Sequence, residues 1–249
     1  MKATLEPGYV LHLRPWRESS LLVEFFSRSQ GRVALVARGA KSGRSRGGSV
    51  AALLQPFTPL QCSWRGRGQL RNLGHCESLG PSLRLPGRRL YSGLYMNELL
   101  VRLLYHDDPH QKLFDHYAAV LALLAGDVAD SEEIPLRRFE LVLLEELGYG
   151  FDLSSDGLSG EALDPDAWYH YQEEYGLVHL GADASPERQP QARTQHRMAR
   201  FLGADLLALS KGDYSGGARL CAKRLMRQAL AAHLGDKPLN SRDLFRQSD

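Results

Sequence analysis

The sequence predicts an α+β chain in two parts. A small N-terminal β-barrel over residues 1–80 is followed by an all-α domain over 81–249 that carries a small acidic hairpin insertion. Apolar residues recur at short, strand-like intervals as far as Cys76 and at helical intervals after Pro81 and Pro86. Charge changes sign across nearly the same divide. Residues 1–90 hold 15 Lys+Arg against 4 Asp+Glu, whereas the remainder holds 16 against 25, so the net charge of +2 conceals the asymmetry. A basic half of this kind suits a polyanionic partner, nucleic acid or an acidic membrane.

Period-two alternation opens the barrel, with Tyr9, Leu11 and Leu13 assigned to one face and Val10, His12 and Arg14 to the other. Pro15 ends that strand because it cannot donate to a ladder. Leu21 to Phe26 and Arg32 to Arg38 follow as strands two and three. Leu53 to Trp64, interrupted by Pro56 and Pro59, reads as a bent or bulged fourth strand, and Leu70 to Cys76 as the fifth. Between strands three and four lies a basic glycine-rich loop, Gly39 to Gly48, and the turn RGRG precedes strand five. Five short strands with a basic loop fit a nucleic-acid-binding barrel of the OB type.

Three helices come next. Arg88 to Tyr105 is amphipathic, a second runs from Leu113 to the stop at Gly126, and Ile134 to Leu147 has Pro135 in its first turn and Gly148 just past its end. Residues 149–186 are rich in Gly, Asp and Ser and contain a hairpin, Trp168 to Tyr171 with Leu177 to Leu180. Helical spacing resumes over Gln191 to Leu209 and over Gly217 to Leu234.

Residues 25–76 contain no Asp or Glu, so the cations there have no acidic neighbour in sequence. Lys41, Arg44 and Arg46, supported by Arg38, Arg65 and Arg67, are the candidate contacts to a nucleic-acid backbone; the bland alternative is a solvated basic loop. The loop does not fit GxxxxGK[ST], which argues against an NTPase. Trp16, Phe25, Phe26, Phe57 and Trp64 could stack on bases, but a small barrel needs most of them as core. Arg219, Lys223 and Arg227 recur every four residues, a stripe that serves either as a second DNA contact or as a solvated helix face. Arg137 and Arg138 are the only cations among residues 127–187, which hold sixteen acids. Either they pair with Glu132, Glu133 or Glu140, or they receive the carboxylates of an acidic peptide. No nucleophile elbow or metal-ligand spacing appears, so neither catalysis nor a cofactor is expected. Cys62, Cys76 and Cys221 are too far apart for a framework and suit a reducing, cytoplasmic setting. The chain also lacks any apolar run near the roughly 18 residues of a membrane span, and its start has no signal-like core.

YVLHLRPWRESS, GRVALVARGAKS, LLQPFTPL, RGRGQL, LYSGLYMNELL, LRRFELVLLEELGYG and GDKPLNSRDLFRQ occur in order along nearly the whole chain. Through them the sequence resembles the bacterial RecO recombination-repair family. The resemblance implies an OB-fold with a helical C-terminal domain, binding of single- and double-stranded DNA, and annealing of complementary strands. It also implies work with RecR to help RecA replace single-strand-binding protein, at the nucleoid. The acidic C-terminal tail of single-strand-binding protein then becomes the expected ligand of Arg137 and Arg138. Many members carry a four-cysteine zinc module after the segment equivalent to Leu147–Tyr149; here Phe151 to Leu180 has no cysteine, so zinc is expected to be absent. The competing reading is a protein adaptor whose barrel binds a protein instead of DNA.

Overall fold

A computed structural model describes residues 4–41, 50–126, 132–181, 199–235 and 237–246. Its N-terminal strands are β1 (Glu6–Trp16), β2 (Ser20–Ser27), β3 (Gly31–Ala37), β4 (Leu60–Arg65) and β5 (Leu70–Ser78). They close into a barrel in the order β1-β2-β3-β5-β4, with every pairing antiparallel except β3 with β5. The fold is thus an OB-type barrel followed by a helical region, as the sequence predicts. Inside the barrel Val10, Val23, Phe25, Val33, Leu35, Leu54, Leu60 and Cys62 form the buried core.

Two expectations fail locally. Leu53 to Trp64 is not one strand: a short helix, α1 (Val50–Leu53), precedes an irregular stretch, and β4 begins only at Leu60. Pro56 and Pro59 lack the N–H groups a ladder would use there. In β1 the single alternating face is broken by a bulge at Leu11, since Val10 pairs with Phe25 but His12 with Glu24. The extra residue switches faces, so Val10 and Leu13 both meet the barrel core.

Helices α2 (Arg88–Leu103), α3 (Gln111–Ala125) and α4 (Glu133–Glu146) follow. Residues up to Phe139, together with Lys237–Asp249, form one compact unit with the barrel. Its second core is aromatic: Tyr9 and Phe26, on the outer face of the sheet, pack against Phe114 and Tyr117 of α3. Burial pushes the Tyr117 hydroxyl well above its ordinary pKa, and it donates to Asn97 Oδ1 at 2.6 Å. Asn97 Nδ2 in turn donates to the carbonyl of Leu11, the bulge residue, at 3.0 Å. A short helix numbered α7 in chain order (Asn240–Arg246) returns to α2, where Phe245 meets Tyr91 edge-on.

Glu140–Asp236 forms the second unit. It contains the expected hairpin, β6 (Trp168–Gln172) with β7 (Gly176–His179), but a third strand, β8 (Phe201–Leu202), pairs with β6. Phe201 and Leu202 are therefore not helical; the helix begins after them as α5 (Gly203–Ser210), and residues 191–198 of that expectation lie outside the described ones. Helix α6 (Gly216–Leu234) buries Ala218, Cys221, Ala222, Leu225, Met226, Ala229 and Leu230 along one face.

Candidate nucleic-acid interface

Several cations that lack acidic neighbours in sequence acquire them in space. Arg28 forks onto Asp115 with two bonds of 2.8 Å, and Arg71 reaches Asp107 at 2.7 Å. Arg32 donates to Glu24 at 2.8 Å and to the carbonyls of Val101 and Leu104 at the end of α2. Burial raises the Glu24 pKa, but hydrogen bonds from Arg32 and His106 outweigh it and leave the carboxyl below its ordinary value. These arginines are structural.

Arg38, Lys41, Arg65 and Arg67 remain exposed, with no carboxylate partner among the described residues. Arg44 and Arg46 lie outside the described residues. The chain leaves β3 through Arg38, turns at Gly39 (φ 66°) and buries Ala40. The Lys41 N–H then donates to Ser19 O at 3.0 Å, which fastens the root of the basic loop to the β1–β2 turn. That turn brings exposed Arg14 and Arg17 to the same end of the barrel, Arg17 in the left-handed region at φ 53°. Neither residue stands out in sequence, because the hairpin that carries them precedes the basic stretch by some twenty positions.

Arg67 sits elsewhere. Ala34 lies beside Leu70 and Val36 beside Asn72 in the parallel pairing of β3 with β5. The turn before Leu70 therefore points toward the Gly31 end of β3, and strand geometry separates Arg67 from Arg38 by roughly 20 Å. Gly66 (φ 120°) and Gly68 (φ 132°) supply the backbone this turn requires. Arg65, opposite Asn72, lies between the two ends and borders an open groove of about 460 Å³ with Ser63, Asn72, Gly74 and His75. Of the candidate stacking residues, Phe25, Phe26 and Phe57 are buried, while Trp16 and Trp64 are half-buried. Trp64 meets Phe25 edge-on across 6.0 Å.

On α4, Arg137 is half-buried and Arg138 exposed. Arg138 and Lys112 lie close enough to His116 of α3 that, after burial, their charges help depress its pKa. Lys112, His116 and Arg138 thus converge from two helices, a juxtaposition that spacing within either helix cannot reveal. Glu132 turns to Arg88, at 3.6 Å, instead of to the arginine pair. Arg219, Lys223 and Arg227 all lie on the solvent face of α6.

The loop at 150–167 does not fit a zinc centre. It has no cysteine, and the Asp156 carboxylate is spent on the amides of Leu158 and Ser159, each at 2.8 Å, and of His179 at 2.6 Å. Among the described residues no group of three or more His, Cys, Asp or Glu is placed to hold a metal, and no helix is long and apolar enough to cross a membrane.

Comparison with known proteins adds to this geometry. The family described as Recombination protein O N terminal matches residues 1–81, and that described as Recombination protein O C terminal matches residues 84–243. The chain is 46% identical over 244 residues to the DNA repair protein RecO of Pseudomonas paraeruginosa (strain DSM 24068 / PA7), covering 98% of this chain and 95% of that one. It is 47% identical over 247 residues to the protein of that name from Pseudomonas putida (strain W619), covering 97% of each. The counterpart from Methylococcus capsulatus (strain ATCC 33009 / NCIMB 11132 / Bath) is 42% identical over 248 residues, covering 99% of this chain and 95% of that one.

Proposed function

This chain belongs to the RecO family, and from that premise we propose that it is a non-enzymatic DNA-binding mediator of recombinational repair. It anneals complementary single strands and, with RecR, helps load RecA onto DNA coated by single-strand-binding protein. Exposed Arg38, Lys41, Arg65 and Arg67, on a barrel whose Arg28, Arg32 and Arg71 are occupied by carboxylates, carry this assignment. Such cations gain by displacing counterions from a polyphosphate, which makes the affinity salt-dependent. Lys41, Arg44 and Arg46 are assigned the dominant phosphate contacts, and the α6 stripe Arg219, Lys223, Arg227 a second one.

Oligonucleotide binding across a salt series tests the barrel assignment. For single strands, each lost contact flattens the plot of log affinity against log salt by about 0.7, so triple alanine replacement of Lys41, Arg44 and Arg46 is expected to flatten it by about two units. An unchanged slope removes these residues from the interface. A parent protein that binds no DNA at any salt favours the adaptor reading.

Arg137 and Arg138 are assigned to the acidic tail of single-strand-binding protein, with Lys112 enlarging the positive surface. Guanidinium forks match carboxylates bidentately. Titration of the tail peptide should weaken on Arg137→Ala or Arg138→Ala while oligonucleotide binding is unchanged. Parent-like peptide binding by both variants moves the site elsewhere.

A further inference from the structure

Cys62 on β4 and Cys76 on β5 are direct cross-strand partners. Directly opposed residues of an antiparallel pair project to the same face with their Cβ atoms about 5 Å apart, close to the span of a disulfide. Both thiols face the barrel: Cys62 is fully buried in the core, and Cys76 is partly buried against it. The two thiols lie close enough for each to perturb the ionisation of the other. Beside them the ladder is already loosened. The pairing of β4 with β5 shifts register between Cys62 and Trp64, and the intervening Ser63 Oγ accepts the His75 amide at 3.2 Å. The irregularity gives the hairpin room to draw the sulfurs together without breaking regular pairing on both sides.

The two cysteines are chemically unequal. The neighbouring Cys62 thiol lowers the Cys76 pKa, against the opposing effects of burial and Glu77, so Cys76 is the more readily ionised. The Cys62 thiol is pushed up by Cys76 and by burial. Cys221, on α6, is buried and its pKa is pushed up to about 12, chiefly by desolvation, which leaves it inert. A nucleophilic, partly accessible thiol with a second thiol against it is the arrangement of an attacking and a resolving cysteine.

We propose that Cys62 and Cys76 form an oxidisable dithiol, a modification site at which hydrogen peroxide makes an intramolecular disulfide within the barrel. The Cys76 thiolate attacks one peroxide oxygen, the O–O bond breaks, and the departing hydroxide takes a proton to become water. Cys62, giving up its proton, attacks the sulfur of the resulting Cys76 sulfenic acid, the S–O bond breaks, and a second water leaves. Two thiols are oxidised by two electrons and one peroxide is reduced to two waters. The bond would tie together the base of the hairpin that carries Arg65 at the end of β4 and Arg67 in its turn.

The test exposes the full chain to hydrogen peroxide, blocks free thiols, and maps unreduced peptides by mass spectrometry. The expected product is a Cys62–Cys76 cross-linked peptide about 2 Da lighter than the reduced pair, restored by a dithiol reductant. Cys221 should oxidise at least about tenfold more slowly than Cys76. In Cys62→Ser the sulfenic acid at Cys76 should persist and be captured by dimedone, and Cys76→Ser should form no cross-link. Peptide mapping of the parent decides the matter even where a variant does not fold. Absence of the cross-linked peptide at peroxide doses that consume Cys76, or oxidation of Cys221 first, overturns the proposal.

Discussion

Asp156 shows how one side chain can hold a cysteine-free loop in place. Its carboxylate ties the loop at 156–160 to itself through Leu158 and Ser159 and to β7 through the His179 amide. Gly157 completes the junction, because a Cβ there would stand 1.6 Å from Tyr175 O. Asp156→Asn retains the shape but turns one acceptor into a donor, facing an amide N–H. The expected loss is about 1–3 kcal/mol, read by chemical denaturation together with faster hydrogen exchange at His179. Burial raises the Asp156 pKa, yet the amides of Ser159, His179 and Leu158 leave it below the ordinary 3.8. A depressed folded value means that this contribution is complete above about pH 4 and is lost as pH falls through the folded pKa. Parent-like stability and exchange in the variant would show that the junction does not depend on this carboxylate. Absence of cysteine was legible in the sequence. The role of Asp156 was not, because an aspartate among glycines and serines reads as a solvated turn until the strand opposite it is known.

At the scale of elements, what was legible followed periodicity, and what was missed involved a partner distant in sequence. Helices α2, α3 and α6 and the β6–β7 hairpin declare themselves through spacing and stop signals. The bulge at Leu11 does not, because its freed carbonyl is satisfied by Asn97, a residue 86 positions away. The α7 segment is similar: GDKPLNSRDLFRQ matches the family, but nothing local reveals what holds it. Two residues one turn apart on α2 do so. Glu98 accepts from the Asn240 and Ser241 amides and the Ser241 hydroxyl, and Arg102 donates to the carbonyls of Lys237 and Pro238. Burial raises the Glu98 pKa, but the Ser241 and Asn240 hydrogen bonds bring it below the ordinary 4.5. Glu98→Gln is expected to cost about 1 kcal/mol, a modest value because the clasp is partly exposed, and to release α7 to faster hydrogen exchange. The stabilisation should be present above about pH 4.5 in the parent and fade below it, with the variant showing less of this dependence. Equal exchange in parent and variant would assign the docking of α7 to Arg102 and to the contact of Tyr91 with Phe245.

At the scale of the whole molecule, the sign change in charge along the chain identified the basic barrel but not how its cations are distributed. Only the parallel register of β3 with β5 reveals that Arg38 and Lys41 mark one end and Arg67 the other. Sequence proximity makes the two groups look like a single cluster, whereas roughly 20 Å of strand lies between Arg38 and Arg67. If both groups hold DNA, the strand must cross the barrel along β3 and β5, past the groove beside Arg65. Length then becomes a ruler. Barrels of this type occupy about 4 to 16 nucleotides, so oligothymidylates at those two limits sample one end or the whole path. On the long strand, paired alanine replacements of Arg38 with Lys41 and of Arg65 with Arg67 should each flatten the salt dependence by about 1.4, and their effects should add. On the short strand only one of the two pairs should change the slope. Should Arg65 and Arg67 leave the long-strand slope unchanged, the path ends at Arg38 and Lys41 and the β4–β5 turn lies outside it.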